Sequence, residues 1–310
     1  MTDHTQGAAA PDCLAPLPPT PPAHTKVPAG AWDTHAHVIG GDAVHPFVPN
    51  RSYTPPAATV QDYVAMLDRV GLAHAVIVPI SVHGTDNRLL LDALRQYPGR
   101  LRGVASIDGS EKPATLAAWR DAGICGVRVN ELFEGGSTAA LLERLAARCR
   151  PLGWHLDLAL HAHRIRELLP MLAVLDLPLV IDHMGFCPAA QGVSHPDFQA
   201  VLQLLAQDNV WVKLSGAYRL SSGYSPYFDV GPFVQALYRT APRRCIWAAD
   251  WPHVALTDPQ RMPQAGDLLD FVRSHLPSDD ALADVLVHNP TRLYGVPSMA
   301  AEQSFNEAHP

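Results

Sequence analysis

Asp33-Thr34-His35-Ala36-His37 near the start of the chain and Ala249-Asp250-Trp251-Pro252-His253 near its end each close an apolar run. Side chains at i and i+2 of a strand share a face, so His35 and His37 point the same way. A carboxylate from Asp250 brought beside two imidazoles makes a compact acid–base or metal cluster. His183, in Val180-Ile181-Asp182-His183-Met184-Gly185, follows another short apolar run and precedes a glycine turn. It would add a third imidazole. Asp250 follows Ile246-Trp247-Ala248-Ala249, so its base should be desolvated, and a buried carboxylate needs a strong partner. Histidines or a metal ion would supply one. The plainer roles are a hydrogen-bonded core histidine for His183 and a loop cap for Asp250; His253 reads the far side of Asp250 or caps the same loop.

A second group of residues is suited to holding a substrate. Arg128 and Arg219 are expected at the mouth of a pocket, where a guanidinium fork fixes an anion in one orientation; the alternative is a structural ion pair with an acid such as Glu131. His83, in Ser81-Val82-His83-Gly84-Thr85-Asp86-Asn87, is a substrate-binding candidate together with Ser81, whereas Asp86 fits a cap for the next helix. Tyr53, in Asn50-Arg51-Ser52-Tyr53-Thr54-Pro55-Pro56, sits where a loop could cover the pocket. In Leu160-His161-Ala162-His163-Arg164, His161 falls where a fifth strand would present a metal ligand, and His163 starts a helix.

The elements that must carry these groups alternate. Short apolar runs at Ala31–Val38, Ala75–Ile80, Leu101–Ile107, Gly126–Val129, His155–Leu160, Leu179–Ile181, Val210–Leu214 and Cys245–Ala249 read as strands. Amphipathic stretches between them, such as Val60–Val70, Asp86–Gln96 and Pro196–Gln207, read as helices, with two more near Gln264–His275 and Asp279–His288. Eight such alternations predict an α/β fold, a distorted (β/α)₈ TIM barrel, ahead of a doubly wound open sheet. The candidate residues fall at the C-terminal ends of many different strands, which a barrel gathers at one mouth and an open sheet spreads along an edge.

Composition sets the outer limits. The chain has 310 residues, is 47% hydrophobic and carries a formal charge of −7, which argues against nucleic acid as a partner. Five scattered cysteines without a C-x-x-C pair fit buried thiols in a reducing compartment. No apolar run spans a bilayer and no signal peptide is evident, so the expectation is a cytoplasmic protein without a membrane partner. Residues 1–29 are rich in proline and are expected to form a disordered arm, with 30–296 the barrel and 297–310 a tail. The arm could pack on a neighbouring subunit of a homo-oligomer.

Together, Trp32-Asp33-Thr34-His35-Ala36-His37, Tyr53-Thr54-Pro55, the Ser81–Asn87 stretch, Ile181-Asp182-His183-Met184-Gly185 and Ala249-Asp250-Trp251-Pro252-His253 resemble the amidohydrolase superfamily. Within it they resemble the branch of 2-pyrone-4,6-dicarboxylate lactonase and related lactone hydrolases. The resemblance runs from about residue 30 to Tyr294. It implies a hydrolase opening an anionic lactone from aromatic-compound or sugar-acid catabolism. In that reading Asp250 takes a proton from water, and His35, His37 and His183 polarise the lactone carbonyl. It implies no obligatory cofactor, because the dicarboxylate lactonase works without a metal. Two departures matter. Glu134 falls where that enzyme has a second arginine, and Ala159 where it has a tyrosine, so a substrate with one anionic group, such as a monocarboxylate or sulfonated lactone, fits better than a dicarboxylate. His161 restores part of the superfamily's ligand set: if a metal is bound, His35, His37, His161, His183 and Asp250 would hold one Zn²⁺ or Mn²⁺. Two alternatives stand beside this: a metal-dependent amidohydrolase or decarboxylase on the same barrel, and a non-catalytic small-molecule binding barrel.

Overall fold

The computed structural model describes residues 10–131 and 139–297. Eight strands pair in parallel in chain order: β1 (Trp32–Ala36), β2 (His74–Ile77), β3 (Leu101–Ala105), β4 (Ile124–Asn130), β5 (His155–Ala159), β6 (Leu179–Ile181), β7 (Val210–Leu214) and β8 (Cys245–Trp247). The sheet closes where the first strand meets the segment following the eighth. There the Asp250 amide donates to His35 O (2.9 Å) and the His37 amide to Trp251 O (2.8 Å), with Ala36 bridged to Trp251. The fold is thus a (β/α)₈ barrel and not an open sheet.

Helices α1 (Val60–Val70), α2 (Arg88–Gln96), α3 (Pro113–Asp121), α4 (Ala139–Cys149), α5 (Ala162–Leu172) and α6 (Pro196–Leu205) follow the first six strands. A four-residue α7 (Ala217–Leu220) and then α8 (Gly231–Thr240) follow β7. The start and stop signals are local: Thr59 and Asp62 form a reciprocal capping box on α1, and Gly71 ends that helix in a left-handed conformation. Asp86, expected to cap α2, lies one residue before the N-cap Asn87 and accepts from the Arg88 amide at 3.0 Å. After β8 come α9 (Ala265–Ser274) and α10 (Asp279–Ala283). The stretch expected as one helix to His288 instead passes into a π-turn over Asp284–His288 and then α11 (Asn289–Tyr294).

Trp32, Val76, Val104, Val180, Trp211 and Ile246, from six different strands, meet in one buried cluster. Only the lumen of a closed barrel lets side chains from so many strands touch. Asp182 and Lys213 lie two residues beyond Val180 and Trp211, so the same inward faces carry an apolar layer and then a charged one.

The proline-rich arm differs from expectation from residue 10 onward. Cys13 and Leu14 donate backbone bonds to Thr54 O (2.8 Å) and Leu256 O (2.9 Å), joining the loops that follow β1 and β8. Asp270 accepts the amides of Ala23 and His24. A Cβ at Gly266, in the first turn of α9, would lie 2.7 Å from Pro21 C and Thr20 O. The glycine makes room for the arm, which proline pre-extends and therefore docks at low entropic cost. Gly266→Ala should force that backbone off α9 at a cost of about 1–3 kcal/mol, read as a lowered melting temperature; an unchanged melt would show that the arm contributes nothing there.

Candidate active site

Asp250 is the centre of the site. Its backbone is left-handed (φ 62°), as are His183 (φ 45°) and His253 (φ 65°); non-glycine residues pay strain for this and cluster where function fixes a geometry. Gly216 makes His183's position available, since a Cβ there would lie 2.9 Å from His183 Cβ. The barrel seam sets Asp250 beside the first strand, and three imidazoles face its carboxylate. His37 Nε2 lies 3.6 Å and His35 Nε2 3.9 Å from Oδ1, and His183 Nε2 lies 3.7 Å from Oδ2. All four side chains are buried. The three histidines and the acid expected from the sequence therefore converge.

Two further groups hold Asp250 Oδ2: the Tyr218 hydroxyl donates at 2.7 Å and Arg219 Nε at 2.6 Å. Burial opposes ionisation of Asp250, but the Arg219 guanidinium and the facing histidines more than offset it and hold the carboxyl well below its usual range. Burial pushes the histidines the other way, His183 to about 4 and His35 well below its ordinary value. At neutral pH the site thus has an ionised carboxylate and neutral imidazoles. Asp250 Oδ1 and His35 Nε2 make no hydrogen bond although both are buried.

Beneath this lies a buried ionic layer. Lys213 Nζ contacts Asp157 Oδ2 (2.6 Å), Asp182 Oδ1 (2.9 Å) and His35 Nδ1 (3.0 Å). Burial and the neighbouring Asp182 push Asp157 up to about 8. Asp182 is held well below the carboxylate range, because Lys213 and His35 outweigh its burial. Asp33 ties the seam: its Oδ1 accepts the amides of His35 (3.1 Å) and Ala249 (2.9 Å), and its Oδ2 the Tyr63 hydroxyl (3.0 Å).

Arg128 donates to Pro79 O at 2.6 Å and lies 3.7 Å from Asp182, while its buried Nε makes no hydrogen bond. Glu131 pairs with Arg164, so the ion pairs of Arg128 and Arg219 are made with Asp182 and Asp250 instead. Tyr53 bonds Ser81 Oγ at 3.3 Å, and both arginines act on its phenol, which places the four residues together.

Two candidates make other contacts. Both ring nitrogens of His83 face backbone, Gly40 N and Pro46 O at 3.3 Å each, so this ring pins the loop after β1. His161 is exposed, stacked on His163 with centroids 5.6 Å apart, and edge-on to Phe186, whose ring also abuts His183. It occupies the N-cap of α5. Glu134 lies outside the described residues.

Ligand atoms of His35, His37 and Asp250 lie within 4.8 Å of one another, as do those of His35, Asp182 and His183. Among the described residues these are the groups that could hold an ion, and His161 is in neither.

Residues 32–296 match the amidohydrolase family, and the chain belongs to it. It is an enzyme of that family, and its curated relatives include lactone hydrolases along nearly their whole length. A 4-sulfomuconolactone hydrolase of Rhizobium radiobacter is 38% identical over 292 residues, 93% of this chain and 98% of that protein. The 2-pyrone-4,6-dicarboxylate hydrolase of Comamonas testosteroni is 37% identical over 281 residues, 87% of this chain and 91% of that protein. Among solved structures, a "probable 2-pyrone-4,6-dicarboxylic acid hydrolase" of Acinetobacter baumannii with citric acid bound superposes with a TM-score of 0.76 at 29% identity. That match covers 86% of this chain and 99% of the other. No described helix is long and apolar enough to cross a membrane.

Proposed function

We propose that the protein hydrolyses a lactone bearing one anionic group, with Asp250 as the base that takes a proton from water. The observation that carries this is the pair of buried, unpartnered atoms, Asp250 Oδ1 and His35 Nε2, facing one another across 3.9 Å. A general base needs an ionised atom within reach of the water it activates, and Asp250 keeps Oδ1 available while Tyr218 and Arg219 occupy Oδ2. As the water oxygen bonds the lactone carbon, the carbonyl electron pair moves to oxygen and is met by imidazole N–H groups from His35 and His183. Donors fixed in a water-poor site need little reorganisation to stabilise that charge. The ring C–O bond then breaks, and the leaving oxygen recovers the proton from Asp250.

Charge points to the substrate class. Arg128 and Arg219 lie with Tyr53 and Ser81, and Arg128 keeps a buried Nε without a hydrogen bond. A guanidinium N–H so placed suits a carboxylated or sulfonated lactone, the latter matching the relative that acts on 4-sulfomuconolactone. The same cations do not fit a resident divalent ion. Arg219 already stands 2.6 Å from Asp250, and both candidate ligand groups depend on His35, whose Nδ1 faces the Lys213 ammonium. No step is therefore routed through a metal.

A panel of anionic and neutral lactones, followed by proton release on ring opening, tests the reading: turnover confined to neutral lactones, or none at all, would overturn it. Arg128→Met should raise KM for the anionic lactone about 10- to 100-fold, the loss of one charge-assisted hydrogen bond, with kcat changed far less. An unchanged KM would remove Arg128 from the binding site.

A further inference from the structure

Lys213 is one of three lysines in the chain, and its side chain is fully buried. An ammonium offers three N–H donors and no lone pair; Lys213 bonds Asp157 Oδ2 and His35 Nδ1 and forms an ion pair with Asp182 Oδ1 at 2.9 Å. Burial opposes its charge, but the two carboxylates more than offset that and raise its pKa. The contact with His35 therefore makes Nδ1 the acceptor. A neutral imidazole with Nδ1 accepting carries its proton on Nε2.

The competing arrangement would have His35 donate from Nδ1 to Asp182 Oδ1, 3.2 Å away. Neither oxygen of Asp182 accepts a hydrogen bond of good geometry, and an N–H at that position would face the ammonium hydrogens. His37 has the opposite arrangement. Its Nδ1 lies 2.8 Å from Val78 O, and a carbonyl only accepts, so Nδ1 carries the proton and Nε2 presents a lone pair.

We propose that Lys213 is a positioning residue that divides the two first-strand histidines into a donor, His35, and an acceptor, His37. The proposal rests on the lactone-hydrolysis reading and sharpens it. His35 Nε2–H meets the carbonyl oxygen. The attacking water donates one hydrogen to Asp250 Oδ1 and the other to His37 Nε2, atoms 3.6 Å apart, which leaves its lone pair for the lactone carbon. One proton passes to Asp250, the new C–O bond forms, and the carbonyl pair settles on the oxygen held by His35. The proton held by Asp250 ends on the ring oxygen as its bond breaks. The same proton on His35 Nε2 removes the lone pair that a metal ion would need there.

The full chain labelled with ¹⁵N-histidine tests this by long-range ¹H–¹⁵N correlation of the ring nitrogens. The expected result is Nε2–H for His35 and Nδ1–H for His37; Nδ1–H on His35 overturns the proposal. Lys213→Met should move His35 to the Nδ1–H form against Asp182 and lower kcat about 100-fold, with KM within about threefold. A folded variant with unchanged kcat or unchanged ring signals overturns the assignment, and if the variant fails to fold, the wild-type signals decide alone. Wild-type turnover with Nδ1–H on His35 sinks the role of Lys213 but leaves hydrolysis standing. Absence of turnover on every anionic lactone sinks hydrolysis whichever nitrogen holds the proton.

Discussion

Asp250→Asn is expected to lower kcat on an anionic lactone by about 1,000-fold, within the range that general-base removal costs. The amide can still accept from Tyr218 and Arg219, so the barrel seam, which uses the Asp250 backbone and not its side chain, should persist. What disappears is the proton acceptor at Oδ1. Because Arg219 and the histidines keep the wild-type carboxyl well below its usual range, the acid limb of a kcat profile should not reach the ordinary carboxylate pKa before the protein itself fails. Circular dichroism would establish that the variant is folded, and stopped-flow proton release would give the rate. Undiminished turnover in a folded Asp250→Asn enzyme would remove Asp250 as the base.

Acid should unfold this protein within a narrow interval. Burial holds His155 and His253 near 3 and His183 near 4, with His35 also well below its ordinary value. Below a pH of about 6.5 the unfolded chain takes up protons on these four rings that the folded state refuses, so stability falls as pH falls and is fully present only above that value. Asp33 and Asp157, pushed up to about 7 and about 8 by burial, act in the opposite direction. They hold protons that the unfolded chain has already lost above its own carboxylate pKa. About two protons remain in favour of unfolding, which gives a slope of about 3 kcal/mol per pH unit. A domain stable by about 5–8 kcal/mol, the lower part of the usual range, is then expected to unfold between about pH 5 and 4. Tryptophan fluorescence during equilibrium acid titration checks this; a melting temperature unchanged from pH 7 to 4 would contradict it.

Much of the frame is legible from residue pattern. Alternating apolar runs and amphipathic stretches locate all eight strands and also α1, whose ends fall where Thr59, Asp62 and Gly71 cap it locally. His35, His37, His183 and Asp250 were readable because polar residues ending apolar runs are costly without a role. The ionic layer was legible only in part: Lys213 stands among the polar residues at the strand ends, but Asp157 sits inside a strand where a charge reads as an exposed alternate position, and only closure of the barrel turns that face inward. Tyr218 gave no signal, since it lies in a four-residue helix too short for periodicity. The contacts of His83 were not legible, because its ring bonds to a loop about 40 residues earlier in the chain. The arm misled because proline-rich composition reports an extended backbone and says nothing of the surface that receives it. Gly266 was the one local sign of that surface.

The joint between the first strand and the segment after the eighth has a consequence for how activity arises during synthesis. Asp33 and Ala249, which meet there, are 216 positions apart, and the base reaches its water only through that meeting. A nascent polypeptide lacking its final quarter holds the paired imidazoles yet has no proton acceptor to set against them. Hydrolytic competence therefore switches on at a single late moment, when the ring of strands is completed.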